Sequence, residues 1–466
     1  MAQTLSGTIL EGRYTSTRYY PGSVFSYRIH VPVGAADHPD CGLLINHDGL
    51  SEPEALAMEQ LAATGEAPCC ITVGIFPATL PAAVSGGTDR GMRMQNYDIY
   101  GPTYPDFVVE ELLPWLVQTH GLSFSSSPDM HMTSGGSSGG ISAWNMAWYR
   151  TDYFHRVSMS SPSFLSMGHG HELPHLIRKV ETKPIRVFTE YSETEPDDYF
   201  GSSLCVAMDA ERSLRFAGYD MVSAYYPGEG HSSRYRHPEI ILERMRFLWK
   251  NWDREPVTVK ALSPRAALLI SPDMPWEKTD AFPEKVPAVS TGIRTAAGTY
   301  IPDGERILFR AADGTERTAA EGFSHLTALA VSPDKWRLYA GDCDRGCVYA
   351  LTIHPDGSLD APYLHAALHM ETDFRHPGAL DLCVSSDDRV YAATECGIQA
   401  VRSFGLIDVI VPLPDRQIPL QIAFGTEDTP YLYARSRDGI YRRRWLSGGR
   451  ICPDATAEPQ YTSYYN

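Results

Sequence analysis

The segment Thr133-Ser-Gly-Gly-Ser-Ser-Gly-Gly140 sets serines among closely spaced glycines. Within it, Gly136-Ser137-Ser138-Gly139-Gly140 has the pattern G-x-S-x-G. That pattern serves nucleophilic catalysis when a strand runs into it and a helix runs out. Here the apolar run Met130–Thr133 precedes it, and Ile141 to Tyr149 has helical spacing. A turn this tight is strained, so a Cβ at Gly136 or Gly140 would clash. It lifts the central hydroxyl above the sheet at a helix N-terminus, where the dipole and free N–H groups favour a developing oxyanion. Ser138 is therefore the expected nucleophile, with Ser134 and Ser137 as fallbacks.

Such a serine needs a histidine to take its proton and an acid to orient the histidine, in the chain order serine, acid, histidine. His231, in Tyr225-Tyr-Pro-Gly-Glu-Gly-His231, follows the strand-like Met221–Tyr226 and is the expected base. His237 competes with it, and His169 and His171 are next, as substrate contacts. The acid should follow the strand-like Ile185–Glu190, in Tyr191-Ser-Glu-Thr-Glu-Pro-Asp-Asp198. Spacing from the strand end favours Glu195, with Glu193, Asp197 and Asp198 left open. Two backbone N–H donors must face the oxyanion. One is expected at Gly139, directly after the serine. The other is expected at Leu50, in His47-Asp48-Gly49-Leu50, where Gly49 lets the chain turn.

These residues need strands to hold them. Val24–Val31 alternates as a strand, Leu43–Asn46 and Cys70–Ile75 are apolar runs, and Val157–Ser160 is a further strand. Pro53–Ala63, Phe107–Thr119, Leu204–Ala217 and Glu239–Trp252 have helical spacing. This rhythm predicts an α/β fold over residues 1–255, with a mostly parallel sheet and helices on both faces. After Asp253 the pattern changes to a proline-rich stretch and then short strands between Gly and Asp turns. Ala330-Val-Ser-Pro-Asp334 leads into Arg337-Leu-Tyr-Ala340, and related units start at Cys383 and Ala423, giving spacings of 53 and 40 residues. That range suits four-stranded propeller blades. Residues 256–466 are thus expected to form an all-β, propeller-like domain, incomplete at four or five blades.

The N-terminal motifs resemble the esterase family of α/β hydrolases that includes enterochelin esterases and feruloyl-type carbohydrate esterases. The resemblance covers roughly residues 20–255. It rests on Asp48-Gly49, Arg93-Met-Gln-Asn-Tyr97-Asp98, Tyr104-Pro-Asp-Phe, Glu111-Leu-Leu-Pro114, Gly136-Ser-Ser-Gly-Gly140, Ile185-Arg-Val-Phe188 and Gly228-Glu-Gly-His231. It implies substrate-binding roles for Arg93 and Asp48. In the family the Arg93 segment usually reads Arg-x-x-Glu-Tyr-Asp, whereas Asn96 stands here in place of the acid, and the triad acid is usually Asp, whereas Glu195 matches here. The C-terminal part resembles the gluconolactonase/senescence-marker-protein propellers, through Thr327-Ala-Leu-Ala-Val-Ser-Pro-Asp334 and the repeats. Those proteins hold a divalent metal through Glu, Asn and Asp. The positions matching the Asn and Asp are Thr327 and Leu380, and leucine cannot ligate, so no lactonase site is expected. Trp276 and Trp336 are packing residues that could also contact substrate.

Composition narrows the function further. Lys plus Arg is 40 and Asp plus Glu is 57 in 466 residues, a net charge of −17. No basic face for nucleic acid or for an anionic membrane surface is indicated, and no apolar run is long enough to span a bilayer. The first residues lack the charge and apolar pattern of a signal peptide. Nine cysteines without paired CxxC spacing fit a reducing, cytoplasmic setting. Cys343 and Cys347 are read as small buried strand residues, and neither a metal nor a cofactor is expected. The function expected is a serine carboxylic-ester hydrolase working through an acyl-enzyme on a small-molecule ester, such as an acylated or feruloylated sugar. A siderophore esterase, a metal-dependent lactonase and a non-catalytic binding protein are the alternatives. A short propeller completing its core against a second copy would make the chain a homo-oligomer.

Overall fold

A computed structural model describes residues 4–38, 40–231, 238–283, 292–370, 378–425 and 431–446. Its backbone separates into two compact units, one of residues 1–178 and 182–261, the other of residues 179–181 and 262–466.

The first unit is built on β1 (Thr8–Thr15), β2 (Val24–Val31), β3 (Gly42–His47), β4 (Cys70–Ile75), β5 (Thr79–Leu80), β6 (Arg90–Gly91), β7 (His131–Gly136), β8 (Arg156–Ser160), β9 (Arg186–Thr194), β10 (Asp197–Asp198), β11 (Gly201–Ser202) and β12 (Asp220–Gly230). Ten of these form one sheet in the order β12-β9-β8-β7-β3-β4-β2-β5-β6, with β1 paired to β2. Pairings from β12 through to β4 are parallel; those of β2 with β4, β1 and β5, and of β5 with β6, are antiparallel. The sheet is therefore mixed. The parallel part is the part that carries continuous apolar runs, because strands covered on both faces have no polar side to show. β3, β4, β7 and β8 are buried at every position.

The helices are α1 (Glu52–Ala63), α2 (Thr103–Phe107), α3 (Leu113–His120), α4 (Ser138–Tyr149), α5 (Leu173–Lys179), α6 (Ser203–Ala217) and α7 (Pro238–Leu248). A π-helical turn, Val108–Leu112, joins α2 to α3, so the expected single helix starts four residues earlier and is wound irregularly. It stops at Gly121 in the left-handed region, φ 63°, and α6 stops likewise at Gly218, φ 87°. One face of the sheet packs Leu44, Met132 and Phe188 against Met58 and Leu61 of α1 and Met245 and Trp249 at the end of α7.

Among the described residues the second unit has four antiparallel four-stranded sheets, none closed on itself. The first holds Ile293–Arg294, Thr299–Asp303, Arg306–Arg310 and Glu316–Glu321. The second holds Leu326–Val331, Arg337–Asp342, Cys347–Thr352 and Tyr363–Ala367. The third holds Asp381–Val384, Val390–Thr394, Gly397–Val401 and Ile407–Val411. The fourth combines Gln421–Phe424, Tyr431–Arg435 and Ile440–Arg444 with Glu277–Thr279 from the start of the unit. The sequence repeat falls on the turn between the first two strands of the second and third sheets. Ser332 N–H donates to Arg337 O and Ser385 N–H to Arg389 O, both at 3.0 Å. Lys335 and Asp388 hold positive φ in these turns. Part of the turn of the third repeat lies outside the described residues.

Candidate active site

The C-terminal ends of parallel strands meet along one sheet edge, which is where open α/β sheets place ligands. In register, Gly136 of β7 faces Ser160 of β8, Ser160 faces Glu190 of β9, and Thr194 of β9 faces Gly230 of β12. Ser137, Ser161, Glu195 and His231 are the next residues along these four strands, so the sheet alone brings them to one edge.

At the end of β7 the strained residue is Ser137, with φ 57° and ψ −127°. Its N–H donates to Ser160 O at 2.9 Å, and its hydroxyl lies 3.1 Å from Ser163 Oγ. Ser138 follows as the first residue of α4. It is 3 % exposed and its hydroxyl is bonded to Asp98. The strained backbone therefore falls on Ser137, one residue before the expected nucleophile Ser138. Gly135 and Gly139 flank Ser137 at the same spacing at which Gly136 and Gly140 flank Ser138, so the segment contains the motif in two overlapping registers. The glycines explain the packing. A Cβ on Gly135 would sit 2.1 Å from Gly139 O, and one on Gly140 3.1 Å from Pro162.

Glu195 lies in the turn after β9, its carboxylate fully buried, and bonds His231 Nδ1 through Oε2. Its other oxygen accepts from Ser161 Oγ and, at 3.0 Å, from Ser192 N–H. Burial pushes this carboxyl up, but His231, Ser161 and the Ser192 amide together hold it below its usual value. The alternative acids stand apart from the histidine. Glu193 accepts Gly228 N–H at 2.6 Å, Asp198 accepts Phe200 N–H at 2.8 Å, and Asp197 and Asp198 form an exposed two-residue ladder. His237 lies outside the described residues. His169 and His171 belong to a short 3-10 segment, Met167–Glu172, with rings 6.1 Å apart. Ser161, with φ 43°, went unrecognised in the sequence. Its only signal was its place directly after an apolar strand in the parallel series.

The loop after β3 forms the opposite wall. Asp48 and Gly49 both hold positive φ, 64° and 96°. A Cβ on Gly139 would lie 3.0 Å from Asp48 Oδ2 and 3.1 Å from His47 Cβ, so this loop closes directly on the start of α4. Asp48 N–H donates to Tyr97 OH at 3.2 Å, and Gly49 N–H donates to Ile75 O at 3.1 Å. The amide nitrogen of Leu50 lies over Gly74 of β4, where a Cβ would be 2.1 Å away. Arg93 donates to Asp48 through Nε and Nη2, at 3.1 and 2.8 Å, and both side chains are about one-third exposed, at 40 % and 32 %. Asn96 is buried and accepts Ala78 N–H at 2.8 Å, so it supports the loop after β4.

Two buried titratable groups shape the field. Burial raises the Asp98 carboxyl to about 6, against the lowering effects of Ser138 and Arg93. Burial lowers His47 to about 4, so it is neutral, with its Nδ1–H donating to Ser134 O at 3.0 Å. Behind the edge, Arg244 joins Glu54 at 2.7 Å and Glu190 at 3.0 Å. Glu54 also accepts from Asn46 and Ser134, and Glu190 from Tyr226. This network ties β3, β7, β9 and β12 together behind the strand ends that carry Ser137, Glu195 and His231.

In the second unit, Thr327 Oγ1 donates to Gly341 O and Ala379 O, and Leu380 packs against the core of the third and fourth sheets. Trp276 packs on the same core, and Trp336 bonds Asp334. Among the described residues no helix is long and apolar enough to cross a membrane.

Residues 27–255 match the family model described as "Putative esterase". No curated protein matches the chain. Among solved structures, a ferulic acid esterase is 17 % identical over 52 % of this chain and 100 % of its own, with a TM-score of 0.40. The enterobactin esterase of Shigella flexneri is 17 % identical over 53 % of this chain and 60 % of its own, with a TM-score of 0.41. A gluconolactonase from Xanthomonas campestris is 18 % identical over 30 % of this chain and 44 % of its own, with a TM-score of 0.26.

Proposed function

Residues 27–255 belong to the putative-esterase family, and on that premise we propose that the first unit is a serine ester hydrolase with Ser137 as nucleophile, His231 as base and Glu195 as the orienting acid. The observation that carries this is the backbone of Ser137, φ 57° and ψ −127°, where β7 meets α4. A residue with a side chain keeps such a conformation only where its surroundings enforce it, and such strain collects at active sites. The His231–Glu195 pair at the ends of the neighbouring strands supplies the remaining groups.

In this mechanism His231 Nε2 takes the Ser137 proton as Oγ attacks the ester carbonyl. Glu195 stabilises the resulting imidazolium through Nδ1. The oxyanion faces the amide of Ser138, which has no intrahelical acceptor at the first position of α4. Leu50 is the second donor in this reading, because the amides of Asp48 and Gly49 are already engaged. His231 then protonates the leaving alcohol, and water, deprotonated by the same imidazole, releases the acid from the acyl-enzyme. Arg93 and Asp48, half-open on the wall opposite Glu195, meet the polar part of the substrate, a small aryl or acylated-sugar ester. The four sheets of the second unit form a short propeller-like array without lactonase chemistry, and the setting is cytoplasmic.

The test is hydrolysis of short aryl esters and methyl ferulate by wild type, Ser137→Ala and Ser138→Ala, with and without chelator. Mapping a fluorophosphonate adduct by mass spectrometry locates the nucleophile. Loss in Ser137→Ala with the adduct on Ser137 supports the reading. Loss only in Ser138→Ala returns the nucleophile to the later register. Activity that survives both and dies with chelator removes the chemistry from this site.

A further inference from the structure

At one end of the second sheet of the second unit, three different ligand types converge. His325, Cys343 and Asp344 each offer one donor atom, and all three donors lie within 4.8 Å of one another. We propose that this cluster is a binding site for a divalent zinc ion, held by the His325 imidazole, the Cys343 thiolate and the Asp344 carboxylate, with water in the fourth position.

The ligand types suit zinc, which accepts nitrogen, sulfur and oxygen donors in tetrahedral sets. The spacing suits it as well. His325 Nδ1 and Asp344 Oδ1 are 3.3 Å apart. That is about the edge of a tetrahedron whose bonds are about 2.0–2.1 Å long. The backbone already holds the two segments together. Cys343 N–H donates to His325 O at 2.8 Å. Asp342, fully buried, accepts the N–H groups of Ser324, His325 and Arg345 at 2.8, 3.2 and 3.3 Å. The ligands therefore stand on a clamped turn that needs no metal to form, and little ordering remains to be done on binding.

The neighbouring cation does not compete for the site. Arg345 is turned toward Gly322 O and Tyr349 OH, at 2.8 and 3.1 Å. Cys343 is 3 % exposed, while His325 and Asp344 are open to solvent, so an ion enters from the His–Asp side and meets the sulfur beneath. Cys347, four residues further on, lies outside the cluster and is bonded to Tyr349. Burial keeps the Cys343 thiol above its ordinary value. Binding forms the Zn–S bond, displaces water from the ion and releases the thiol proton to solvent, so affinity rises with pH.

The test uses the full chain, stripped with chelator and titrated with Co2+ as a spectroscopic stand-in, then with Zn2+ in competition. Wild type is expected to take one Co2+ with tetrahedral d–d bands and a sulfur-to-metal charge-transfer band that Zn2+ abolishes. Cys343→Ser loses the charge-transfer band, and His325→Gln and Asp344→Asn, both solvent-facing changes, weaken binding at least tenfold. Ester hydrolysis is unchanged in all three, so this result and that of the proposed esterase are read independently. A wild type without the band overturns the site, as does a band that persists in Cys343→Ser, which would place the metal on another thiol. Should Cys343→Ser fail to fold, the two exposed variants decide, and unaltered affinity in both overturns the proposal.

Discussion

The two units hold their most deeply buried carboxylates in different ways. In the first, Arg244 lies between Glu54 and Glu190, all within a few per cent of full burial, and the three clamp side chains from strands that end at the candidate site. In the second, the buried carboxylates grip backbone. Asp342 takes three amides of its own sheet's loops, and Asp381 of the third sheet takes Ile422 N–H of the fourth at 2.8 Å. A charge–charge clamp fixes side chains at a distance from one another, as a reacting constellation requires. A charge–amide stitch fixes the chain's path, as an array of sheets requires.

The contrast can be broken most decisively at the proposed nucleophile. Ser137→Ala is expected to lower kcat/KM by about 10⁴-fold or more, whereas Ser138→Ala stays within about tenfold. Glu195→Gln comes next. It keeps the shape but stops stabilising the imidazolium, and should cost about 10²–10⁴-fold in kcat with KM little changed. Arg244→Met leaves two carboxylates buried without their cation. Urea unfolding of the first unit should show a loss of about 3–5 kcal/mol, since removing one partner of a buried pair is far worse than never having the pair. Asp98 sharpens the picture through pH. Burial pushes its folded carboxyl up to about 6, above the ordinary 3.8, so the native state binds the extra proton between those values. Stability from this group is present at low pH and falls by about 3 kcal/mol as pH rises from about 4 to 6. Asp98→Asn should be progressively more stable than wild type over that window, and an unchanged difference would remove Asp98 from the account. The smallest effect belongs to the second unit. Asp342→Ala strands three amides and should destabilise that unit by about 1–3 kcal/mol with ester hydrolysis intact.

Much of the parallel sheet was visible in the sequence. β4 was bounded to the residue, because a strand buried on both faces has to be apolar from end to end. Antiparallel β1 was not identified. Its exposed and half-buried alternation in TILEGRYT offers no apolar run. The His231–Glu195 contact follows from two strand ends that could be located, and the spacing argument for Glu195 reached the carboxylate that the structure brings to the histidine. The elbow register could not be settled from pattern alone, since two serines and four glycines satisfy it twice. Only the backbone angle at Ser137 separates them. Ser161, Tyr97 and the Glu54–Arg244–Glu190 network were not foreseen either, because each joins residues far apart in sequence. The grouping of His325, Cys343 and Asp344 escaped for the same reason. Cys343 reads in sequence as a small buried residue, while His325 lies 18 residues earlier, directly before the strand Leu326–Val331.

The fourth sheet of the second unit has a consequence for synthesis. Its outer strand, Glu277–Thr279, pairs with Ile440–Arg444, and the Glu277–Arg442 ion pair spans 165 residues of chain. At about 5–20 residues per second, the first strand emerges from the ribosome roughly 10–30 s before its partner exists. The first unit, complete by Ala261, can begin to fold before the rest of the chain emerges, but this sheet cannot close until Ile440–Arg444 has been made. A message cut short before residue 440 would release a chain whose hydrolase half is finished and whose other half presents open strand edges to every neighbour.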